Sequence, residues 1–276
     1  MRSVILFYLR YFPFPYFKGT LAKRVKIIEN TPPFVYKNPF GVSYEIHLDQ
    51  YHMKNIYLYG VAERNTLRHL RRMAQSGMIF LDIGANIGSF SLSLSRKINN
   101  GKIIAFEPVS YNVNILKRNI ELNKFTNILV EHKGVSNTTG TARIYFGKKK
   151  SGASIVNTGM ENSEDIELIT VDAYLKQHNI NRVDMVKIDV EGAEHLVLAG
   201  AEQLLNQPEK LVLVMEYMQD NHKNTGKSTS DLFNLLLNKG FRAFLPRPWP
   251  FGLKQITKPP GDTYMDNIIF IKESTN

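Results

Sequence analysis

The chain has 276 residues with 43% hydrophobic content, enough for one large α/β domain with a sizeable core. It contains no cysteine, which excludes disulfides, thiolate metal sites and a cysteine nucleophile and fits a reducing, cytoplasmic setting. The formal net charge of +10 is uneven: residues 1–75 carry 12 Lys/Arg against 4 Asp/Glu, residues 76–217 carry 15 against 16, and residues 218–276 carry 8 against 5. An overall polycation adapted to nucleic acid is not the pattern; the excess belongs to an N-terminal appendage.

Residues 1–55 read as a basic, aromatic-rich arm, and residues 56–276 as the main domain. Prolines (Pro13, Pro15, Pro32, Pro33, Pro39) and aromatics keep the arm from sustaining a helical period for long. The stretch VILFYL is broken by Arg10 and followed by prolines rather than a small-residue cleavage site, so no signal peptide is read. No apolar run approaches the roughly 20 residues of a membrane span. Phe7, Tyr8, Tyr11, Phe12, Phe14, Tyr16 and Phe17 among basic residues suit peripheral contact with a membrane surface or a partner; folding back on the main domain is the alternative.

The segment AERNTLRHLRRMAQ spaces Leu67, Leu70 and Met73 on one helix face. Strand and helix then alternate: MIFLDIG and IGSFSLSLSRKI, KIIAFEP and NVNILKRNIELN, then NILVEHKGV as a third strand. The segments TGTARIYFG, SGASIVN and IELITVD, with the Lys148-Lys149-Lys150 loop, read as an inserted set of β segments. Alternation resumes with VDMVKID, GAEHLVLAGAEQLL and KLVLVMEY. The helix DLFNLLLNKG, closed by Gly240, and the strands FRAFLP and NIIFIKE complete it. Repeated βα units imply a mainly parallel sheet with helices on both faces and a ligand at the carboxyl ends of its strands.

The stretch FLDIGANIGSF runs from strand to helix across Gly84 and Gly88, and glycine there lets a ligand approach the backbone. No lysine follows Gly88, so it is not a Walker loop. Asn86 stands where a dinucleotide loop prefers its second glycine, and Asp82 adds negative charge beside any phosphate. Glu107, ending the next strand, suits both hydroxyls of a ribose, a role common to NAD and S-adenosylmethionine sites. An Asp before D-x-G-x-N-x-G favours a ligand carrying an ammonium and a sulfonium, which S-adenosylmethionine does.

The segments FLDIGANIGSFSL, IIAFEP, TVDAYL, VKIDVEGAEHLVLAGAEQLL and LVLVMEY, with LYGVAERNTL upstream and DNIIF downstream, resemble the FkbM family of S-adenosylmethionine-dependent methyltransferases over residues 57–270. The resemblance implies a Rossmann-like class I methyltransferase: a mostly parallel seven-stranded sheet with an antiparallel last strand. It also implies O-methylation of a hydroxyl on a sugar, glycolipid or natural-product acceptor. By the same resemblance Asp82, Gly84, Asn86 and Gly88 form the cofactor loop, with Ala85, Phe90 and Pro108 beside it, and Glu107 is the ribose carboxylate.

In VKIDVEGAEH, Lys187, Asp189 and Glu191 alternate, which on a strand places them on one side. Charges ending an interior parallel strand call for a functional explanation. Asp189 is the expected ligand of the methionine ammonium or of the acceptor, Glu191 the general base and Lys187 their counter-charge. His195 and Glu216 are further catalytic candidates; the bland reading of Glu191 and Glu194 is favourable charge at a helix N-terminus. No metal site is assigned: His47, Asp49 and His52 lack a recognised ligand spacing, and Mg²⁺ on the carboxylates is the lesser reading. Trp249 and Phe251 suit stacking on a sugar and Arg247 an acidic group, or the aromatics only pack their loop. Two rival functions are a nucleic-acid methyltransferase using the basic arm, against which no D/N-P-P-Y/F motif follows the fourth strand, and a non-catalytic cofactor-binding module. Oligomeric state and acceptor identity are not encoded in any motif.

Overall fold

A computed structural model describes the chain except residues 1, 13–17, 26, 29–30, 148–161, 218–227, 262–263, 265 and 275–276. The chain opens with α1 (Arg2–Tyr11), α2 (Lys18–Lys23), β1 (Phe34–Lys37), β2 (Ser43–Ile46), α3 (Tyr51–Tyr59) and α4 (Arg64–Met73). The alternating part follows with β3 (Ile79–Ile83), α5 (Ser89–Ser95), β4 (Lys102–Phe106), α6 (Ser110–Asn123) and β5 (Ile128–Glu131). The insertion comprises β6 (Gly134–Val135), β7 (Gly140–Phe146) and β8 (Asn162–Ile169). Then come α7 (Val171–Gln177), β9 (Met185–Ile188), α8 (Glu194–Ala199), α9 (Glu202–Asn206) and β10 (Leu211–Tyr217). The chain ends with α10 (Thr229–Asn238), β11 (Arg242–Pro246), β12 (Leu253–Ile256) and β13 (Asp266–Lys272).

The main sheet has the order β12-β11-β13-β10-β9-β3-β4-β5. Strands β5, β4, β3, β9 and β10 run parallel, and β13 inserts antiparallel between β10 and β11. These are the seven expected strands. The eighth, β12, pairs antiparallel with β11 at the edge, inside a stretch that reads in sequence as connection. Leu81, Val186 and Leu213 join the core on one face of the sheet, while Phe80, Met185 and Val212 join the core on the other. Successive side chains of a strand face opposite ways, so burial on both faces makes these strands apolar almost throughout. β4 and β5 lie to one side of β3 and β9 and β10 to the other, which opens a crevice at the carboxyl ends of β3 and β9.

Two local readings change. NILVEHKGV divides, β5 joining the main sheet and β6 the small sheet β6-β8-β7. The strand read through IELITVD stops at Ile169, because Thr170 caps α7, its side chain accepting from the Ala173 amide at 3.0 Å. The segment SGASIVN and the lysines before it lie outside the described residues, as do Phe14, Tyr16 and Phe17.

Residues 2–11 form a regular helix where the sequence pattern suggests no sustained one. Ile5, Leu6 and Leu9 of α1 pack with Val25 and Leu58. The boundary read near residue 55 falls within α3. The hairpin of β1 and β2 is tied to α6, the Ser43 amide donating to Asn123 Oδ1 at 2.8 Å and the Glu45 amide to Asn119 Oδ1 at 2.7 Å. Tyr44, Ile46, Met53 and Ile56 share a core with Ile87, Leu92 and Ile115. Among the described residues, no helix is long and apolar enough to cross a membrane.

Candidate cofactor and acceptor site

A cleft of about 1130 Å³, measured to its open mouth, lies at the carboxyl ends of β3, β4 and β9. Its first wall is the turn after β3. Gly84 has φ +80, and a Cβ there would stand 1.8 Å from the backbone oxygen of Asp189. Only glycine allows the β3 and β9 turns to approach this closely. Asn86, also left-handed at φ 51, gives its backbone N–H to Glu107 Oε2 at 2.8 Å.

Glu107 is buried, and its Oε1 accepts from the Val109 amide at 3.0 Å and from Asn112 Nδ2 at 3.1 Å. Burial pushes its carboxyl up to about 7, against the pull of these three donors. Each carboxylate oxygen has two acceptor positions, so Oε2 retains one beside the turn. A pyrophosphate fits poorly: the Asn86 N–H that would receive it is already given to a carboxylate. The free acceptor position and the carboxylates of the cleft suit a ligand with hydroxyls and positive charge, as S-adenosylmethionine has.

Asp82 lines the cleft but is anchored elsewhere. Its Oδ2 accepts from the Ser91 amide at 3.0 Å and from Ser91 Oγ at 2.6 Å, fastening the start of α5 to the tip of β3. Burial raises its pKa, and nearby Lys187 opposes that rise.

Lys187 is 2% exposed and lies level with Asp82 in the register of β3 and β9. Its Nζ donates to Asp189 Oδ2 at 2.5 Å, lies 3.8 Å from Glu63 Oε1 and sits 4.6 Å over the Phe90 ring. Burial alone would lower its pKa; Asp189, Glu63 and Asp82 outweigh it and hold the ammonium protonated. Glu63 also accepts from Asn267 Nδ2 at 2.5 Å, and burial lifts its carboxyl to about 7.

Of the sequence candidates, Lys187, Asp189 and Glu191 line the cleft with Asp82, Gly84, Ala85, Asn86, Phe90, Glu107 and Pro108. Gly88 does not line it; its φ of +91 shapes the turn into α5. Glu191 does not continue the strand alternation. β9 ends at Ile188, and Glu191 takes a left-handed turn at φ 51. Glu216 and His195 are not among the lining residues. Burial, then the charges of Asp189 and Glu191, raise Glu216 to about 9, so its environment is linked to the cleft without facing it. Trp249, Phe251 and Arg247 do not line the cleft either, and the Arg247 guanidinium lies 5.1 Å over the Phe251 ring.

Glu63 and Asn112 also line the cleft, and so does His52, which the sequence offers only as a poorly spaced metal ligand. Asn112 was findable, since it opens the helix after Glu107. Glu63, which precedes α4, and His52, in α3, carry no local signal for a place in this cleft. Among the described residues, five non-glycine positions have positive φ, and three of them, Glu63, Asn86 and Glu191, line this cleft. Backbone strain of this kind gathers at functional sites. His47, Asp49 and His52 do not converge on a metal: His47 bonds Glu45 and Tyr111, whereas His52 faces the cleft. Among the described residues, no group of three or more His, Asp or Glu is arranged to hold one.

The parallel order β5-β4-β3-β9-β10, completed by a reversed β13 between β10 and β11, defines a Rossmann-like class I methyltransferase fold. The profile of the Methyltransferase FkbM domain matches residues 82–243, and the chain belongs to the FkbM family of methyltransferases. Methyltransferase sdnD of Sordaria araneosa is 30% identical over 160 residues, covering 46% of this chain and 62% of that protein. Hexuronic acid methyltransferase AglP of Haloferax volcanii is 28% identical over 170 residues, covering 61% of this chain and 68% of that protein. The chain thus spans under two thirds of sdnD. Among solved structures, Trm5b from Pyrococcus abyssi is 15% identical with a TM-score of 0.49, covering 90% of this chain and 58% of that one. TYW2 of M. jannaschii in complex with AdoMet is 11% identical with a TM-score of 0.47, covering 90% of both.

Proposed function

We propose that the protein is an S-adenosylmethionine-dependent O-methyltransferase acting on a hydroxyl of a small-molecule or glycan acceptor. The observation that carries this reading is the pairing, in one cleft, of a glycine turn beside Glu107 with the Glu63, Asp189 and Glu191 carboxylates around Lys187. Bound there, S-adenosylmethionine supplies an electrophilic methyl group.

The residues of the chain then have separable roles. Glu107 Oε2 accepts from a ribose hydroxyl, while Asn86 and Asn112 hold the carboxylate in place. Asp82, fixed by Ser91, and Asp189, held by Lys187, set a negative field that favours the cationic end of the cofactor. Glu191, at the cleft wall, takes the proton that the acceptor hydroxyl must lose as its oxygen is methylated. The close approach of Gly84 to Asp189 keeps these groups in register. The similarity to a hexuronic acid methyltransferase supports a glycan among the acceptors to be tried first.

The test is transfer of a labelled methyl group from S-adenosylmethionine into extract fractions and a panel of sugars and glycolipids. The product bond is then identified by mass spectrometry. An O-methyl product supports the reading; cofactor binding without transfer to any acceptor overturns it in favour of a binding module.

A further inference from the structure

Six large apolar side chains from two segments far apart in sequence stay exposed. They are Val4, Phe7, Tyr11 and Phe12 in and just after α1, and Trp249 and Phe251 between β11 and β12, each 46% to 72% exposed. α1 already buries one apolar stripe, Ile5, Leu6 and Leu9, against α2 and α3. Val4, Phe7 and Tyr11 recur at i, i+3 and i+7 and form a second stripe turned outward, with the Phe7 and Tyr11 rings stacked at 4.8 Å. A contiguous apolar surface of this kind marks an interaction site.

Two arginines of α4 gather the two segments. Arg64 Nη1 donates to the Phe12 carbonyl at 3.1 Å, and its Nη2 donates to the carbonyls of Arg10 and Tyr59. One turn later, on the same helix face, Arg68 Nη2 donates to the Arg247 carbonyl at 2.6 Å and to the Phe251 carbonyl at 2.8 Å. The end of α1 and the loop of Trp249 are therefore fastened to successive turns of one helix. Glu63, immediately before Arg64, lines the cleft, so the helix that ties the two segments starts at the cleft wall.

The two segments themselves carry charge of one sign. Residues 1–28 contain six Lys/Arg and no Asp/Glu, and residues 241–261 contain four and none. Arg10 and Lys18 are spent on backbone carbonyls within the fold, whereas Lys23, Arg24, Lys254 and Lys258 are exposed. Aromatics on segments that carry cations and no acids match the interface of an anionic bilayer. We propose that this composite face docks the protein on an anionic membrane surface. Resting on the methyl-transfer reading, it presents the cleft to acceptors carried at that surface.

Trp249 is the single tryptophan of the chain, so its fluorescence reports on this face alone. The full chain is titrated with phosphatidylcholine vesicles with and without phosphatidylserine, following emission and co-sedimentation. The expected result is a blue shift and co-sedimentation with the anionic vesicles, weakened by salt. The pair Phe7→Glu and Tyr11→Glu should lower the apparent partition by at least about tenfold at unchanged melting temperature. Unshifted Trp249 emission on anionic vesicles overturns the proposal. So does a shift that follows protein concentration without lipid and coincides with dimer formation in sedimentation, which makes the face a self-association surface. None of these readouts needs methyl transfer, so this proposal and the enzymatic reading fail separately.

Discussion

The ammonium of Lys187 donates to the carboxylate of Asp189 at 2.5 Å, two positions along the chain, where β9 gives way to the cleft. The same ammonium, nearly sealed from solvent, answers Glu63 and Asp82 as well. Removing it leaves carboxylates with burial and mutual repulsion but no counter-charge. Lys187→Met should destabilise the fold by about 3–5 kcal/mol in urea titrations at neutral pH. Because the pKa of Lys187 is raised on folding, its stabilising contribution is fully present below its unfolded value. It is lost only as pH rises through the higher folded value. The destabilisation should therefore persist across the neutral range, and a variant as stable as wild type would deny Lys187 this role.

Glu107 carries the clearest pH prediction. Its folded carboxyl lies near 7 because it is buried, against an ordinary value of 4.5. Its contribution to stability is present below the ordinary value and is lost as pH rises through about 7. Ribose hydroxyls donate to the ionised form, so cofactor affinity should move the opposite way. Affinity for S-adenosylmethionine should be about tenfold weaker at pH 6 than at pH 8. Calorimetry at both pH values checks this, with Glu107→Gln expected to flatten the slope.

Glu191→Gln should keep the fold and cofactor affinity while lowering turnover by about a hundredfold, the lower end for loss of a general base. Asp189→Asn should also weaken cofactor or acceptor binding, since it disturbs the partner of Lys187. Single-turnover transfer at saturating cofactor, with affinity measured in parallel, separates the two. Wild-type turnover in Glu191→Gln would move the base elsewhere.

Gly84→Ala is the sharpest structural test. The new methyl would meet the Asp189 carbonyl at 1.8 Å while the backbone holds φ +80. A loss of at least about 3 kcal/mol is expected, from overlap added to a disfavoured conformation. Thermal melting of the variant beside Gly77→Ala, which has positive φ but open space around it, isolates the overlap.

Local periodicity and turn chemistry made much of this protein legible without coordinates. The alternation from MIFLDIG to LVLVMEY, the glycine turn after Asp82, Glu107 at the next strand end and the KIDVEG block follow from neighbours in sequence, because strand period, helix period and glycine conformations are local properties. What the chain packs against what was not local. Asp82 reads as a cofactor carboxylate, yet only the folded turn brings Ser91 onto it as an anchor. Glu63 and His52 reach the cleft from helices before the first strand of the main sheet, and nothing near them in sequence announces it. Trp249 and Phe251 read either as acceptor contacts or as loop packing; Arg68 of α4 holds the Phe251 carbonyl, and neither side chain lines the cleft. Such juxtapositions arise only when the crossover connections close and distant segments compete for the same buried surface, so tertiary structure alone decided them.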